Sequence, residues 1–307
     1  MSVDPVPDTF SKRRYLRAKE TADDRALHRP TLDRVREAAT AGDSLRVFEA
    51  GPGVGATLRR LLRWDLPADV IYHGVDADGA MVDATRDRLP DLAREAGYDL
   101  ARGDPARLTD GERTVEVTVE VGDALDRAAG AGADLLVAAA FLDLFDADAA
   151  LSALLDGVAP GGLAYLPITF DGETAFVPPG PGEDRVLDAY HATMDAPSRS
   201  GASRSGRALL AAVRDSPARL VAAGGSDWLV APPYPGDEAY LCHHLVRLVE
   251  RAVTRAESEG EPAAARVPES VAREWARDRH AAVADGDLTL LTHQIDVLVR
   301  APTGPEA

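Results

Sequence analysis

Glu49, Gly51, Gly53, Gly55, Asp76 and Asp123 are the residues whose types and spacing invite chemistry. The stretch RVFEAGPGVG, residues 46–55, ends a short apolar run in an acid and follows it with glycines at alternate positions. Glycine lets the backbone turn sharply and lets a ligand lie against bare peptide. A helix opening near Gly55 would aim free N–H groups back at the loop. Asp76 follows Gly55 by 21 residues and closes a second apolar run, where a carboxylate accepts the hydroxyls of a ribose. Asp123 closes a third run and reads either as a ligand acceptor or as a helix N-cap. Strand, glycine loop, helix and an acid on the next strand form an arrangement for a nucleoside.

Such residues need an alternating scaffold, and the hydropathy pattern supplies one. LRVFEA (45–50), DVIYHGV (69–75), TVEVTVEV (114–121), GADLLVAAAF (132–141) and LAYLPITF (163–170) read as strands. ATLRRLLRW (56–64), GAMVDATRDRL (79–89) and DAALSALLDGV (148–158) read as the helices between them. The fold class expected is α/β: a Rossmann-like doubly wound sheet, mostly parallel, with an antiparallel C-terminal edge strand and helical insertions. Ligands of such sheets lie outside the carboxyl ends of the strands. Residues 1–12 read as a loose tail, and 1–44 as N-terminal helices that cap the site. Residues 45–170 form the nucleoside-binding core, and 171–206 are either a lid or an irregular surface insertion around a helix at 183–195. Residues 207–301 return to the same sheet through helices at 206–215, 237–257 and 268–284, with a polar linker between the last two and a final strand at 288–300.

Two nucleotide readings compete at the loop. Gly51, Gly53 and Ala56 satisfy G-x-G-x-x-A, which suits a nicotinamide or flavin enzyme. The loop also reads E-x-G-x-G-x-G, and with FEAGPGVG (48–55), HGVDAD (73–78), VGDALD (121–126) and VAPGGLAYL (158–166) the chain resembles the class I S-adenosylmethionine-dependent methyltransferases over residues 45–170. The resemblance implies a seven-stranded sheet, with SDWLV (226–230) as sixth strand and the final strand as seventh. It implies S-adenosyl-L-methionine as cofactor, its ammonium toward Glu49, its ribose on Asp76 beside Ala77, and its adenine at Gly122, Asp123 and Ala124, with Phe141 against the adenosine or the acceptor. Lys19, Arg25 and Arg29 are the cations it offers for the cofactor carboxylate. Glu49 favours this reading, because an acid beside a pyrophosphate is repulsive.

Methyl transfer is an in-line displacement, so the protein mainly aligns the acceptor and excludes water, with a base where the acceptor carries a proton. Asp143, His191 and Asp171 are the candidate bases. Tyr15, Thr169, Phe170 and Tyr190 are candidate acceptor-binding residues, with Trp228 a further one. His191 titrates near neutrality when unperturbed. No Asn-Pro-Pro-Tyr-like tetrapeptide follows DLLVAAAF; AAFLDLF stands there instead. The acidic chain and the large insertion near the active face together favour a small-molecule acceptor. The alternatives are an NAD(P)-dependent oxidoreductase and a catalytically silent cofactor-binding protein of the same fold.

The chain of 307 residues carries 51 acids against 34 lysines and arginines, a net charge of −17. That balance argues against nucleic acid and anionic membranes as partners. Lys12 and Lys19 are the only lysines, and Cys242 is the only cysteine, which excludes an intrachain disulfide or a cysteine metal cage. Adjacent His243 and His244 point in different directions on a helix, so no metal site is expected. A cytoplasmic protein is expected, since no signal-like or membrane-length apolar run is present. The oligomeric state is left open, a homodimer included. So acidic a surface suits a halophilic cytoplasm, where concentrated salt screens carboxylate repulsion. The protein should therefore unfold on dialysis to salt on the order of 0.1 M. A circular dichroism melt unchanged between that condition and multimolar salt would count against halophilic adaptation.

Overall fold

The computed structural model describes residues 6–258 and 266–303. Residues 1–5 of the expected tail, and the expected polar linker at 259–265, lie outside the described residues. Three helices open the chain: α1 (Lys12–Ala18), α2 (Glu20–Ala26) and α3 (Arg29–Ala39). The Ser11 side chain caps α1 by accepting from the Arg14 N–H, so a helix begins where a tail was expected to end. Pro30 sits in the first turn of α3, where its missing N–H is not needed.

The alternating units follow. They are β1 (Ser44–Ala50), α4 (Ala56–Leu61), β2 (Asp69–Asp76) and α5 (Gly79–Ala96), then β3 (Asp99–Ala101), β4 (Ala106–Thr109) and β5 (Thr114–Val121). Next come α6 (Ala124–Ala128), β6 (Ala133–Val137), a short 3₁₀ turn (Leu142–Leu144), α7 (Ala147–Leu155) and β7 (Val158–Val177). The C-terminal part holds α8 (Glu183–Met194), α9 (Ser205–Asp215), β8 (Arg219–Gly225), β9 (Trp228–Val230), α10 (Glu238–Ser258), α11 (Glu269–Asp285) and β10 (Thr289–Arg300).

The sheet runs β3-β4-β5-β2-β1-β6-β7-β10-β8, with β9 paired to β10. From β5 to β7 every neighbour is parallel, and β10 is antiparallel to both β7 and β8. This is the Rossmann-like sheet expected, with its antiparallel pair at the C-terminal side. Alternate residues of β1 feed opposite faces: Val47 joins one apolar cluster and Phe48 the other.

Four details differ from the sequence reading. First, the sheet has ten strands rather than seven, because the β3–β4 hairpin extends it beyond β5 and β9 pairs separately. Second, the strand beside β10 at the far edge is β8, while SDWLV contributes only the three residues of β9. Third, α5 continues past Pro90 to Ala96, since its last turns bury Leu92 and Ala93. Fourth, β7 does not stop at residue 170. Phe170 pairs with Gln294 and Glu173 with His293, so Asp171 and Gly172 bulge outward and pairing resumes to Val177. Gly172 has φ of +90°, a conformation glycine adopts without strain.

An ion cluster docks the N-terminal helices onto this sheet. Arg88 of α5 forms a bidentate pair with Glu20 of α2 and donates to the Val54 carbonyl at 2.9 Å. Arg59 of α4 bridges Glu20 at 3.0 Å and Asp24 at 2.6 Å, and Arg60 reaches Asp24 at 2.7 Å. Glu20 and Arg88 are both buried. Removing one partner of a buried pair leaves an uncompensated charge, so Arg88→Met should cost about 3–5 kcal/mol in urea unfolding. The Glu20→Gln,Arg88→Met double variant should cost less than the sum of the singles. A loss below about 1 kcal/mol for Arg88→Met would remove the pair from this role.

Candidate active site

At the carboxyl ends of β1 and β2 the chain opens a cleft of about 610 Å³. Its floor is the glycine loop. Gly51, Gly53 and Gly55 take φ of 71°, 56° and 78°, all left-handed. A Cβ on Gly51 would come within 3.0 Å of the Phe141 ring, and one on Gly53 within 3.1 Å of Leu16. The loop is held from behind. The Thr85 hydroxyl donates to the Gly53 carbonyl at 2.8 Å, and Arg88 holds the Val54 carbonyl. The two Asp76 oxygens accept from the N–H groups of Gly53 at 3.1 Å and Asp78 at 2.9 Å. The loop is thus preorganised by protein contacts alone.

Glu49 lines the cleft but is itself buried, beside the Tyr72 hydroxyl, which donates a short bond to it. Burial pushes the Glu49 carboxyl up to about 7, against the stabilising bonds from Tyr72 and Thr57 and the Arg60 charge. Ala77, Asp123, Ala124 and Phe141 also line the cleft. Asp123 also caps α6, accepting from the Leu125 N–H at 2.9 Å, as its N-cap reading had it. Gly122 is not in the cleft wall; its N–H donates to the Asp76 carbonyl at 3.1 Å behind it.

Of the three cations nominated, Lys19 alone reaches the cleft wall. Its ammonium pairs with Asp23 at 2.7 Å. Arg25 is held by Glu238 at 2.6 Å and Arg29 by the Asp24 carbonyl at 2.9 Å. Arg60, which sequence reasoning passed over, also lines the cleft.

Beyond Lys19 and Ala140, which line both spaces, lies an inner chamber of about 150 Å³. Tyr15, Phe170, Tyr190 and Trp228 supply aromatic walls, and Asp143 stands among them. Ala140 enters this wall at φ of 50°, a strained conformation for a residue with a Cβ. The Oδ1 atom of Asp143 and the Oε1 atom of Gln294 are buried without a hydrogen-bond partner. Burial raises the Asp143 carboxyl, with Lys19 opposing, and raises both tyrosine hydroxyls. Neither hydroxyl finds a hydrogen-bond partner among the described residues.

The remaining nominees stand elsewhere. Asp171 is buried and spent on Arg207, whose guanidinium and N–H it accepts at 2.8–3.0 Å. The bulge that interrupts β7 turns it away from the cleft and chamber. Thr169 is wholly buried, and its hydroxyl faces the Leu166 carbonyl at 3.5 Å. His191 stands behind the chamber wall, 3.4 Å from the Thr174 hydroxyl, and burial lowers its pKa, so it is neutral at pH 7. Thr174, Thr292 and Gln294 line the chamber and were missed. Their only sequence signal is polarity at inward positions of paired strands. Among the described residues no cluster able to hold a metal occurs, and no helix is long and apolar enough to cross a membrane.

No protein-family model matches the chain. The ribosomal RNA small subunit methyltransferase A of Synechococcus sp. (strain WH7803) is 37% identical over 94 residues, 29% of this chain and 31% of that protein. The protein of the same name from Parasynechococcus marenigrum (strain WH8102) is 36% identical over 108 residues, 32% and 34% of the two. The chain therefore spans about a third of the length of the curated relatives it matches. Among solved structures, an S-adenosyl-L-homocysteine complex of a SAM-dependent methyltransferase from Geobacter sulfurreducens has TM-score 0.45 at 16% identity, covering 93% of this chain and 97% of that one. Geranyl diphosphate methyltransferase in complex with SAM has TM-score 0.47 at 13% identity, covering 98% and 97%. The [4+2]-cyclase SpnF has TM-score 0.44 at 16% identity, covering 99% and 87%.

Because a donor to a carboxylate favours its charged form, Tyr72→Phe should raise the Glu49 pKa further above about 7. A bond to a charged group is worth about 1.5–3 kcal/mol, or roughly one to two pH units. Carbon-13 titration of the Glu49 carboxyl reads this directly, and a midpoint that stays or falls would reassign the donor.

Proposed function

We propose that the protein is an S-adenosylmethionine-dependent methyltransferase acting on a small-molecule acceptor. One observation carries the reading: an acid, Glu49, stands behind a left-handed glycine loop whose cleft adjoins a small chamber with aromatic walls. The residues present fit that cofactor. The left-handed loop lets Phe141 and Leu16 close on Gly51 and Gly53 in the cleft wall, Asp76 and Asp123 offer acceptors at successive strand ends, and Lys19 offers a cation. A pyrophosphate, as in NAD, would meet Glu49 instead of a donor, and that weighs against the oxidoreductase reading.

In this reading Glu49 holds the ammonium in its charged form and Lys19 the carboxylate. Asp76 holds ribose hydroxyls beside Ala77, Asp123 and the Ala124 N–H meet the adenine, and Phe141 flanks the adenosine. When bound, the sulfonium supplies an activated methyl carbon. The chamber residues align the acceptor beside it and exclude water. Asp143, whose carboxyl is raised by burial, accepts a proton from an acceptor N–H or O–H. The small volume of the chamber, about 150 Å³, and the net charge of −17 support a small acceptor over ribosomal RNA, the substrate named for the curated relatives.

Calorimetry should find S-adenosylmethionine and S-adenosylhomocysteine binding where NAD does not, and Asp76→Ala should weaken them by ~1–3 kcal/mol. Methyl-labelled cofactor incubated with a metabolite extract should label a small molecule. Label entering ribosomal RNA would overturn the acceptor class, NAD binding would restore the oxidoreductase, and binding without any labelled product would leave a silent protein.

A further inference from the structure

The inner chamber shares five wall residues with an outer vestibule of about 570 Å³, among them Asp143, Phe170 and Tyr190. The vestibule's charge is opposite to that of the molecule. Arg199, Arg251 and Arg255 line it, and Asp143, at the boundary with the inner chamber, is the one acid in the described wall. Arg199 stands on the loop after α8, and Arg251 and Arg255 lie one turn apart on α10. All three are exposed. Neither Arg199 nor Arg251 has an ion-pair partner among the described residues, although acids outnumber cations in the chain. A cationic mouth on an acidic surface focuses anions toward itself. At the inner end the demand is reversed, because the buried Asp143 and Gln294 oxygens lack donors.

Resting on the methyltransferase reading above, we propose that the acceptor is an amphoteric small molecule. A flat or apolar body lies among Tyr15, Phe170, Tyr190 and Trp228. An N–H or O–H, the group to be methylated, faces Asp143. A carboxylate or phosphate at the far end meets Arg199 and Arg251. Arginine suits that end, since its planar fork matches either oxyanion. In the transfer the acceptor nitrogen or oxygen forms its bond to the methyl carbon as the carbon–sulfur bond breaks, its proton passes to Asp143, and the neutral thioether leaves.

The test uses 4-hydroxybenzoate, 4-aminobenzoate and 4-hydroxyphenyl phosphate, the two acids also as methyl esters and the phosphate against neutral hydroquinone. Each is titrated by calorimetry with and without S-adenosylhomocysteine. At least one anion should bind ten-fold or more tighter than its neutral counterpart. The Arg199→Gln,Arg251→Gln variant should bring the two within two-fold while leaving S-adenosylhomocysteine affinity as in the parent. Carboxylate-only or phosphate-only binding would identify which oxyanion is meant. Neutral compounds binding as well as anions, no anion binding at all, or an anion preference that survives in the double variant would each overturn the proposal. So would a short RNA oligonucleotide that binds through the same arginines while the small anions do not. Failure of the cofactor reading shows separately, as absent S-adenosylhomocysteine binding in the parent, and the anion comparison without it still decides.

Discussion

A glycine loop in left-handed conformation keeps its shape only where its neighbours hold it. That constraint organises this molecule. Residues 51–54 line the cleft, where Asp76 holds their backbone from the wall, and Thr85 and Arg88 grip the same backbone from below. Two of those three grips come from α5, and Arg88 in turn depends on Glu20 of α2 for its countercharge. Burying so many charges is not a route to stability in itself, because desolvation offsets most of the attraction. What the cluster supplies is position. It fixes α2 against α4 and α5, and by that route fixes the short α1, which carries Tyr15 and leads into Lys19, between cleft and chamber.

The same economy of placement separates two kinds of acid. Asp76, Asp123 and Asp143 stand in walls, but their situations differ. Asp76 and Asp123 accept backbone N–H bonds that fix their orientation, whereas Asp143 keeps one oxygen buried and unpartnered. An unmet buried acceptor costs about 1–3 kcal/mol, more when charged. A site that tolerates this is strained toward a donor, and raising the Asp143 carboxyl is the response of the group itself. Glu49 shows the related case of a carboxyl raised by burial yet served by Tyr72 and Thr57.

Local signals made much of this legible from residues alone. β1, its glycines and α4 follow one another within a single turn signal, and β5 spans the residues its period-two pattern marks, 114–121. Asp76 and Asp123 were readable because a strand end fixes where an acid points. What escaped depended on partners far away in sequence. Tyr72 looks like an ordinary core aromatic until the register places Glu49 opposite Gly74, whose missing side chain leaves room for the Tyr72 hydroxyl. Asp171 and Gly172 resemble a turn, and only the pairing of β10 on both sides shows a bulge within a longer strand. Asp171 and His191 lie close in sequence to the chamber residues Phe170 and Tyr190, yet each points elsewhere. Nothing in their types told which way a bulge or a helix face would turn them.

The segment around α8 covers part of the sheet's ligand edge. An open Rossmann-like sheet offers its ligand edge to solvent, and a large partner could then reach it. Here the loop of residues 199–202 lies directly on the 3₁₀ turn: a Cβ on Gly201 would sit 1.9 Å from the Asp143 carbonyl oxygen, so no other residue fits without moving one of them. Asp195 fastens the loop's far end by accepting from the Ser203 N–H and hydroxyl, both at 2.8 Å. With α10 packed against α8, the chamber acquires a roof whose inner face carries Tyr190, Met194, Leu245, Leu248 and Val249 and whose rim is arginine. The close fit at Gly201 ties the loop of residues 199–202 to the turn that carries Asp143.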